Sequence, residues 1–169
     1  PHSLAEQATA QTAVAVAGCT LAGKSGVSQR RTALHRLTAA LGRTVLSDGS
    51  HASRSPEAGL ELLLDLLTLT DVLGQVSEPT PEPVRRAVQR LTRALRIHTL
   101  PDGRLATLQG GGPSTAARVA AARAHDDGVP PSSLSGSAGG IVRIQSPLLT
   151  VIADTAGPAR GPWSGAACA

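Results

Sequence analysis

The sequence predicts an α+β fold in which helical hairpins come first and strands follow. Leucine and valine recur at three- and four-residue spacing through the first hundred residues, and short Pro- or Gly-rich connections separate these segments. Runs of β-branched residues begin only near residue 138. We therefore divide the chain into helical hairpins (1–100), a connection rich in turns, Gly, Pro and Ser with a short helix (101–137), and the first strands of a β domain (138–169).

The first two elements are predicted helices. Residues 4–17 are rich in alanine and fit a helix, although the alternation of Val and Ala over residues 12–17 also fits a strand. Ser28 is the predicted N-cap of a second helix, because leucines recur after it at helical spacing.

A polar loop at residues 48–56 follows the second helix. Asp48 and Gly49 predict a turn, Ser55 is a candidate N-cap, and Pro56 suits the first position of a helix. The helix predicted over residues 57–73 has leucines around its whole circumference, which indicates burial between neighbouring elements.

The next helix is amphipathic and follows a Pro-rich connection at residues 78–83. Its apolar positions lie on one stripe and its arginines lie opposite: Val84, Val88, Leu91 and Leu95 against Arg85, Arg86, Arg90, Arg93 and Arg96. Two helices joined by so short a connection form an antiparallel αα-hairpin. We detect no internal repeat apart from the helical hairpins themselves.

Turns and a short helix fill the connection after Thr99. Residues 101–103 predict a turn, residues 110–113 a break, and residues 114–126 a short helix rich in Ala and Arg. Residues 129–140 are rich in Pro, Ser and Gly and predict a linker.

Two β-branched runs after this linker predict a β-hairpin. They are residues 141–144 and 148–153, and Ser146 and Pro147 separate them.

The composition restricts the function classes. The chain has no Tyr, Phe, Met or Asn, and its formal charge of +4 is carried almost entirely by arginine. The arginine-rich face predicts either a solvated surface or a site for an anionic partner, such as an acidic polysaccharide or nucleic acid. Without aromatic residues for base stacking, single-stranded nucleic acid is disfavoured.

Targeting, redox and membrane signals are absent from the sequence. Cys19 and Cys168 fit no metal or disulfide spacing, and no apolar run reaches the length of a membrane span. The start has no initiator Met and no signal-peptide pattern, so we expect an internal piece of a longer protein.

One motif favours nucleotide binding. Residues 18–25 match the P-loop pattern G-x-x-x-x-G-K-[ST], with Gly18, Gly23, Lys24 and Ser25 at its defined positions, and Asp154 begins a D-x-x-G sequence. In such a site Lys24 and loop amides hold phosphates, Ser25 holds Mg²⁺ and Asp154 supports the ion. The mostly Ala segment before the motif and the lack of intervening strands make this the alternative hypothesis.

Three stretches of the chain resemble one known family. They are LSDGSHASRSPEAGLELLLDLLTLTDVL, PEPVRRAVQRLTRALRIHTLPDGRLATLQGGG and SGSAGGIVRIQSPLLTVIADTAGP. In this order they resemble the heparinase II/III-like polysaccharide lyases. The resemblance implies the end of an (α/α) toroid followed by the first strands of an antiparallel β-sandwich.

The resemblance also implies a reaction, the β-elimination of an acidic, uronate-containing glycan outside the cytoplasm, in the periplasm or after secretion. Such a reaction needs a base, an acid and a positive charge near the uronate carboxylate. By resemblance His51 is the catalytic position, Arg54 binds the carboxylate, and Arg104 and Gln109 contact sugar.

The absence of Tyr and of downstream site residues leaves the site incomplete or inactive and the enzyme status open. No cofactor is expected in this part, although a metal ion in the β-sandwich beyond this chain is possible. The alternatives are a non-catalytic helical scaffold or glycan-binding fragment, with His51 and Arg54 satisfied by backbone carbonyls.

Overall fold

The computed structural model describes residues 4–126 and 135–157, and the described part is α+β, as predicted. Its helices are α1 Leu4–Thr20, α2 Gly23–Thr44, α3 Pro56–Gln75, α4 Glu82–His98 and α5 Ala116–Arg123. Its strands are β1 Gly136–Ala138, β2 Ile141–Gln145 and β3 Thr150–Asp154. None of the described helices is long and apolar enough to cross a membrane.

The first two helices form a hairpin with a very short connection. Residues 12–17 are helical, so the alternative of a strand is wrong, and the strong helix propensity of alanine explains the outcome. The second helix begins at Gly23 rather than after Ser28. Its N-cap is Ala22, which offers no side-chain hydrogen bond.

Helix α3 is the centre of the helical core. It contacts α1, α4 and α5, which confirms the burial predicted from its leucines. Ser55 caps it by accepting a hydrogen bond from the Ala58 amide at 3.4 Å, and Pro56 is its first residue, as predicted. Each fully buried leucine stabilises the fold by roughly 1.5–3 kcal/mol. The buried leucines of α3 are Leu60, Leu62, Leu63, Leu66, Leu67, Leu69 and Leu73.

Helix α4 packs against α3 through its apolar stripe, which confirms the predicted αα-hairpin. The buried side of α4 includes Val84, Ala87, Leu91 and Leu95. Four of its five arginines lie on the exposed side: Arg85, Arg86, Arg90 and Arg93.

The three strands form one antiparallel sheet in the order β1-β2-β3. Ile141 pairs with Asp154 and Gln145 with Thr150, so the β2–β3 hairpin is confirmed. The first strand lies inside the segment predicted to be a linker, so that prediction is wrong over residues 136–138. Residues 129–134 of the predicted linker lie outside the described residues.

Small residues of β1 allow the sheet to pack on the C-terminal half of α4. Ala138 is buried with Ala94 and Ile97 in a small second core. A Cβ on Gly136 would lie 2.7 Å from Cδ1 of Ile97, so a larger residue there would require the Ile97 side chain to shift. The composition of residues 129–140 resembles a linker, but Gly136 and Ala138 pack closely against α4.

The turns that follow α2 and α4 repeat one another, which the sequence analysis did not detect. Residues 44–52 and 98–106 share the pattern L-x-D-G at positions 54 apart and make equivalent backbone hydrogen bonds of 2.7–3.0 Å. In each turn the aspartate, Asp48 or Asp102, accepts a hydrogen bond at 3.0 Å from the amide two residues later. The helical part therefore contains two copies of a helix–turn unit.

Candidate functional site

The polar loop at residues 48–56 lies between the helices and the sheet. Gly49 has a φ of 91°, and a Cβ there would lie 2.1 Å from the carbonyl oxygen of Arg90. The loop therefore passes directly against the backbone of α4. On its other side, the Gly139 amide of the β1–β2 turn donates to Asp48 Oδ2 at 2.8 Å.

Arg54 connects this loop to the sheet. Arg54 is 7% exposed, and its φ of 62° is unusual for a residue other than glycine. Nε donates to the carbonyl oxygen of Gly139 at 2.7 Å, Nη1 donates to that of Gly157, and Nη2 donates to the carboxylate of Asp154. The guanidinium is therefore engaged by acceptors of the protein itself.

Asp154 receives hydrogen bonds from two distant segments. Gln109 Nε2 donates to Oδ2, and Arg54 donates to Oδ1. Burial opposes ionisation, but the hydrogen bonds from Gln109 and Arg54 outweigh it and lower the pKa of Asp154. The structure thus brings together Arg54 and Gln109, predicted for sugar, and Asp154, predicted for a nucleotide.

Arg104, the other predicted sugar contact, lies apart from this cluster. Its side chain is 65% exposed and pairs with Asp102 at 2.7 Å inside the second of the repeated turns. The same turn position after α2 is Ser50, whose hydroxyl donates to Asp48 at 2.6 Å.

His51 is enclosed by the loop. It is 4% exposed, and its Nδ1 accepts a hydrogen bond from the Ser53 amide at 3.1 Å and lies 2.7 Å from the Ser53 hydroxyl. Burial lowers the pKa of His51 to about 4. The imidazole is therefore neutral near pH 7, and because Nδ1 is the acceptor, the proton is on Nε2.

A narrow cavity lies beside His51, with a volume of about 10 Å³. A cavity of this size is at the lower limit for holding a single water molecule. His98 also lines it and is buried, and its Nε2 lies 3.3 Å from the carbonyl oxygen of Ala138. Burial lowers the pKa of His98, against the opposing effects of that carbonyl and of Asp48.

The P-loop pattern lies across two helices and not between a strand and a helix. Gly18 is within α1, and Gly23 begins α2, followed by the exposed Lys24 and Ser25. A Cβ on Gly18 would lie 2.8 Å from the backbone nitrogen of Arg30, so this glycine allows the two helices to approach. The nucleotide-binding alternative is wrong, because the pattern arises from helix packing.

No group of three or more His, Cys, Asp and Glu residues within residues 4–126 and 135–157 could hold a metal ion. The expectation that this part of the protein has no cofactor stays a prediction, as does a metal ion in a β domain beyond the chain.

The described residues thus define an α+β protein in which helical hairpins are joined to a small antiparallel sheet by apolar packing and by the buried Arg54 and Arg143. The chain is similar to FtsZ-localized protein C of Caulobacter vibrioides (strain NA1000 / CB15N), with 48% identity over 167 residues. The matched region is 98% of this chain but 29% of the relative, so the chain spans less than a third of that protein's length. No protein-family model matches the chain, and no solved structure matches it.

These comparisons correct the lyase hypothesis. No model of the heparinase II/III-like family matches, and the name of the relative places it with FtsZ. The predicted cleavage of an acidic glycan, the acidic polysaccharide partner and the periplasmic or secreted location are therefore wrong. The catalytic role of His51 and the carboxylate-binding role of Arg54 were inferred for that reaction and lose their basis with it.

Sequence reasoning missed two residues that position this region. Asp48 is more than a turn residue, because it also accepts the hydrogen bond from Gly139. Arg143 in β2 is 6% exposed and donates to the carbonyl oxygen of Thr99 and, at 2.9 Å, to Gln145. A charged residue in the middle of an apolar strand was the available signal for Arg143.

Proposed function

We propose that this chain is part of a protein that localises with FtsZ during cell division. The observation that carries the proposal is its 48% identity to FtsZ-localized protein C over 98% of this chain. The match extends through both the helices and the sheet. It therefore supports a shared role for the whole unit, and not for one short motif.

The geometry of the polar loop supports a binding role. Arg54 and Asp154 satisfy one another, and His51 is neutral and enclosed. These groups stabilise the junction of helices and sheet. Exposed positive charge lies elsewhere, on α2 and α4, where a partner can reach it. We include in the proposal that this part acts without a bound cofactor.

The finer architecture is also a proposal. The repeated turns after α2 and α4 support an array of helical hairpins of the toroid kind. The sheet exposes Ile144 and Val151 by 60% and 41%, which supports further β structure packed against it, as in a sandwich.

Co-localisation tests the proposed function. The chain is fused to a fluorescent protein and expressed in dividing cells that carry labelled FtsZ. We expect the fusion to coincide with FtsZ and to become diffuse when FtsZ is depleted. Diffuse fluorescence in the presence of FtsZ, from a fusion shown to be folded by circular dichroism, would overturn the proposal.

A further inference from the structure

Two helices, α2 and α4, are strongly basic. Helix α4 contains five arginines and one glutamate, a net charge of +4, which equals the formal net charge of the whole chain. The rest of the chain has eleven basic and eleven acidic residues, from totals of 16 and 12. Helix α2 is basic as well, with Lys24 and four arginines and no acidic residue, so the acidic residues that balance the total lie on other elements.

Little of this charge is neutralised within the protein. Arg96 pairs with Asp126, but the exposed Arg85 and Arg86 share the single Glu82 at 2.6 and 3.6 Å. Such exposed pairs are solvated and contribute little to stability, so these arginines stay available to a partner. Arg90 and Arg93 have no ion pair with any residue that the structure describes.

A groove with an apolar floor lies beside these arginines, between α2 and the start of α4. Its volume is about 140 Å³. At roughly 30 Å³ per water molecule, this is room for four or five waters or for a compact side chain. Leu41, Val45 and Ala87 form the floor, and Arg86 and Arg90 line the same groove.

We propose that this surface binds an acidic segment of a protein partner that also carries an apolar side chain. We define the α4 arginine face as Arg85, Arg86, Arg90 and Arg93 together with the groove that Arg86 and Arg90 line. Carboxylates of the segment pair with the guanidinium groups, and the apolar side chain enters the groove. The proposal rests on the proposed function, because a protein that localises with FtsZ needs a surface for a protein partner.

The groove favours a peptide over other polyanions. Nucleic acid presents phosphates and bases, and the face offers no aromatic side chain for stacking. A membrane surface presents charge without an apolar group shaped to enter a groove of this size. A peptide alone offers both carboxylates and an isolated apolar side chain.

A labelled peptide tests the surface directly. The probe is a fluorescent twelve-residue peptide of Asp and Glu with one central Leu, and the matched probe has Ser at the centre. Fluorescence anisotropy is measured with the full chain at several salt concentrations. We expect the Leu peptide to bind more tightly than the Ser peptide, and both to weaken as salt rises.

Two pairs of variants distinguish binding at this surface from a general effect of net charge. Arg86→Gln with Arg90→Gln removes two charges from the α4 arginine face, and we expect about tenfold weaker binding. Arg31→Gln with Arg36→Gln removes two exposed charges from α2, and we expect less than a twofold change. Equal losses for both pairs, no binding, or tighter binding to phosphatidylglycerol vesicles or oligothymidylate would overturn the inference.

The cellular assay separates this inference from the proposed function. If only the Arg86/Arg90 variant loses co-localisation, the result supports both the proposed function and the assignment of this surface. If the wild-type chain and both variants co-localise with FtsZ, the proposed function holds and the assignment of this surface is wrong. If the wild-type chain does not co-localise, the proposed function fails, and the peptide measurement still decides whether the surface binds acidic segments. Circular dichroism confirms that each variant is folded.

Discussion

Arg54 and Asp154 form an ion pair across 100 positions of the sequence, joining the loop before α3 to the last residue of β3. The two side chains are 8% and 22% exposed. Loss of one partner leaves the other charge poorly solvated, so such a pair is expected to matter more than an exposed one. Together with the hydrogen bond from the Gly139 amide to Asp48, it attaches the sheet to the polar loop.

Substitution of Arg54 should loosen the sheet. We expect Arg54→Ala to lower the free energy of unfolding by about 3 kcal/mol, because Asp154 and the carbonyl of Gly139 lose their donors. Urea denaturation measures the change, and hydrogen exchange should show greater loss of protection in β2 than in α3. Arg104→Ala removes an exposed pair in the repeated turn and should change stability by less than about 0.5 kcal/mol. Equal destabilisation by Arg54→Ala and Arg104→Ala would contradict the role of Arg54 in holding the sheet.

The backbone conformation at Arg54 also affects stability, because a positive φ favours glycine over alanine. Because its φ is 62°, Arg54→Gly should be less destabilising than Arg54→Ala by about 1 kcal/mol. Both variants lose the same hydrogen bonds, so the difference isolates the left-handed conformation. If urea denaturation showed alanine to be the better tolerated residue, the loop would have a different conformation.

The buried His51 should make the protein sensitive to mild acid. Its pKa is lowered from 6.5 to about 4, so between these values the unfolded chain binds a proton that the folded chain does not. Stability is therefore complete above about pH 6.5 and falls by roughly 3 kcal/mol as the pH drops to 4. Urea denaturation at several pH values measures this slope.

A variant isolates the contribution of His51 to this slope. His51→Asn keeps an acceptor near Ser53 but cannot titrate, so it should reduce the dependence on pH between 6.5 and 4. Burial also lowers the pKa of His98, so a smaller slope of the same sign should remain. The lowered pKa of Asp154 acts at lower pH, where its stabilisation is lost as the pH falls through the folded value. An unchanged slope in His51→Asn would contradict the burial of a neutral imidazole.

The repeated turns provide a matched pair of glycine substitutions. Gly49 and Gly103 both have positive φ, 91° and 82°, so alanine is strained at each by about 1–2 kcal/mol. A Cβ at Gly49 would also meet the Arg90 carbonyl oxygen at 2.1 Å, whereas one at Gly103 meets only the Ala116 Cβ at 3.3 Å. We expect Gly49→Ala to be more destabilising by about 2 kcal/mol in thermal or urea unfolding. Equal losses would mean that the first turn does not lie against α4.

The glycine that begins the P-loop pattern should matter for packing. Gly18→Ala places a methyl group against the backbone of Arg30 and should destabilise the protein by about 1–3 kcal/mol. Gly42→Ala in α2 meets nothing within 4 Å and should stabilise it by about 0.5–1 kcal/mol. Lys24→Ala, at an exposed position, should leave stability nearly unchanged. If Gly18→Ala were also neutral, the close helix crossing would be wrong.

Much of the helical part follows from local sequence. Leucine periodicity predicts α3 and α4, and Ser55 with Pro56 predicts where α3 begins, because capping and helical spacing depend on residues close in the chain. The start of α2 at Gly23 was missed, since Ala22 provides no capping side chain. Strand β1 was missed because it is short and consists of Gly, Ser and Ala, and because Gly136, which lies against α4, has low strand propensity.

The candidate site shows more clearly what local sequence cannot predict. From the sequence, Arg54, Gln109 and Asp154 belonged to two unrelated hypotheses, one for a glycan and one for a nucleotide. In the structure they bind one another. Their partners lie 45–100 positions away, and no pattern in the intervening residues encodes that distance.

The sequence by itself determined the α+β class, the helices at the centre of the core and the dense group of arginines on α4. These depend on composition and on spacings of a few residues. Only the tertiary structure decided that the loop at residues 48–56 is a buried junction. The reason is physical: whether a His and an Arg face solvent or the protein's own acceptors depends on which distant backbone and carboxylate groups the fold brings beside them.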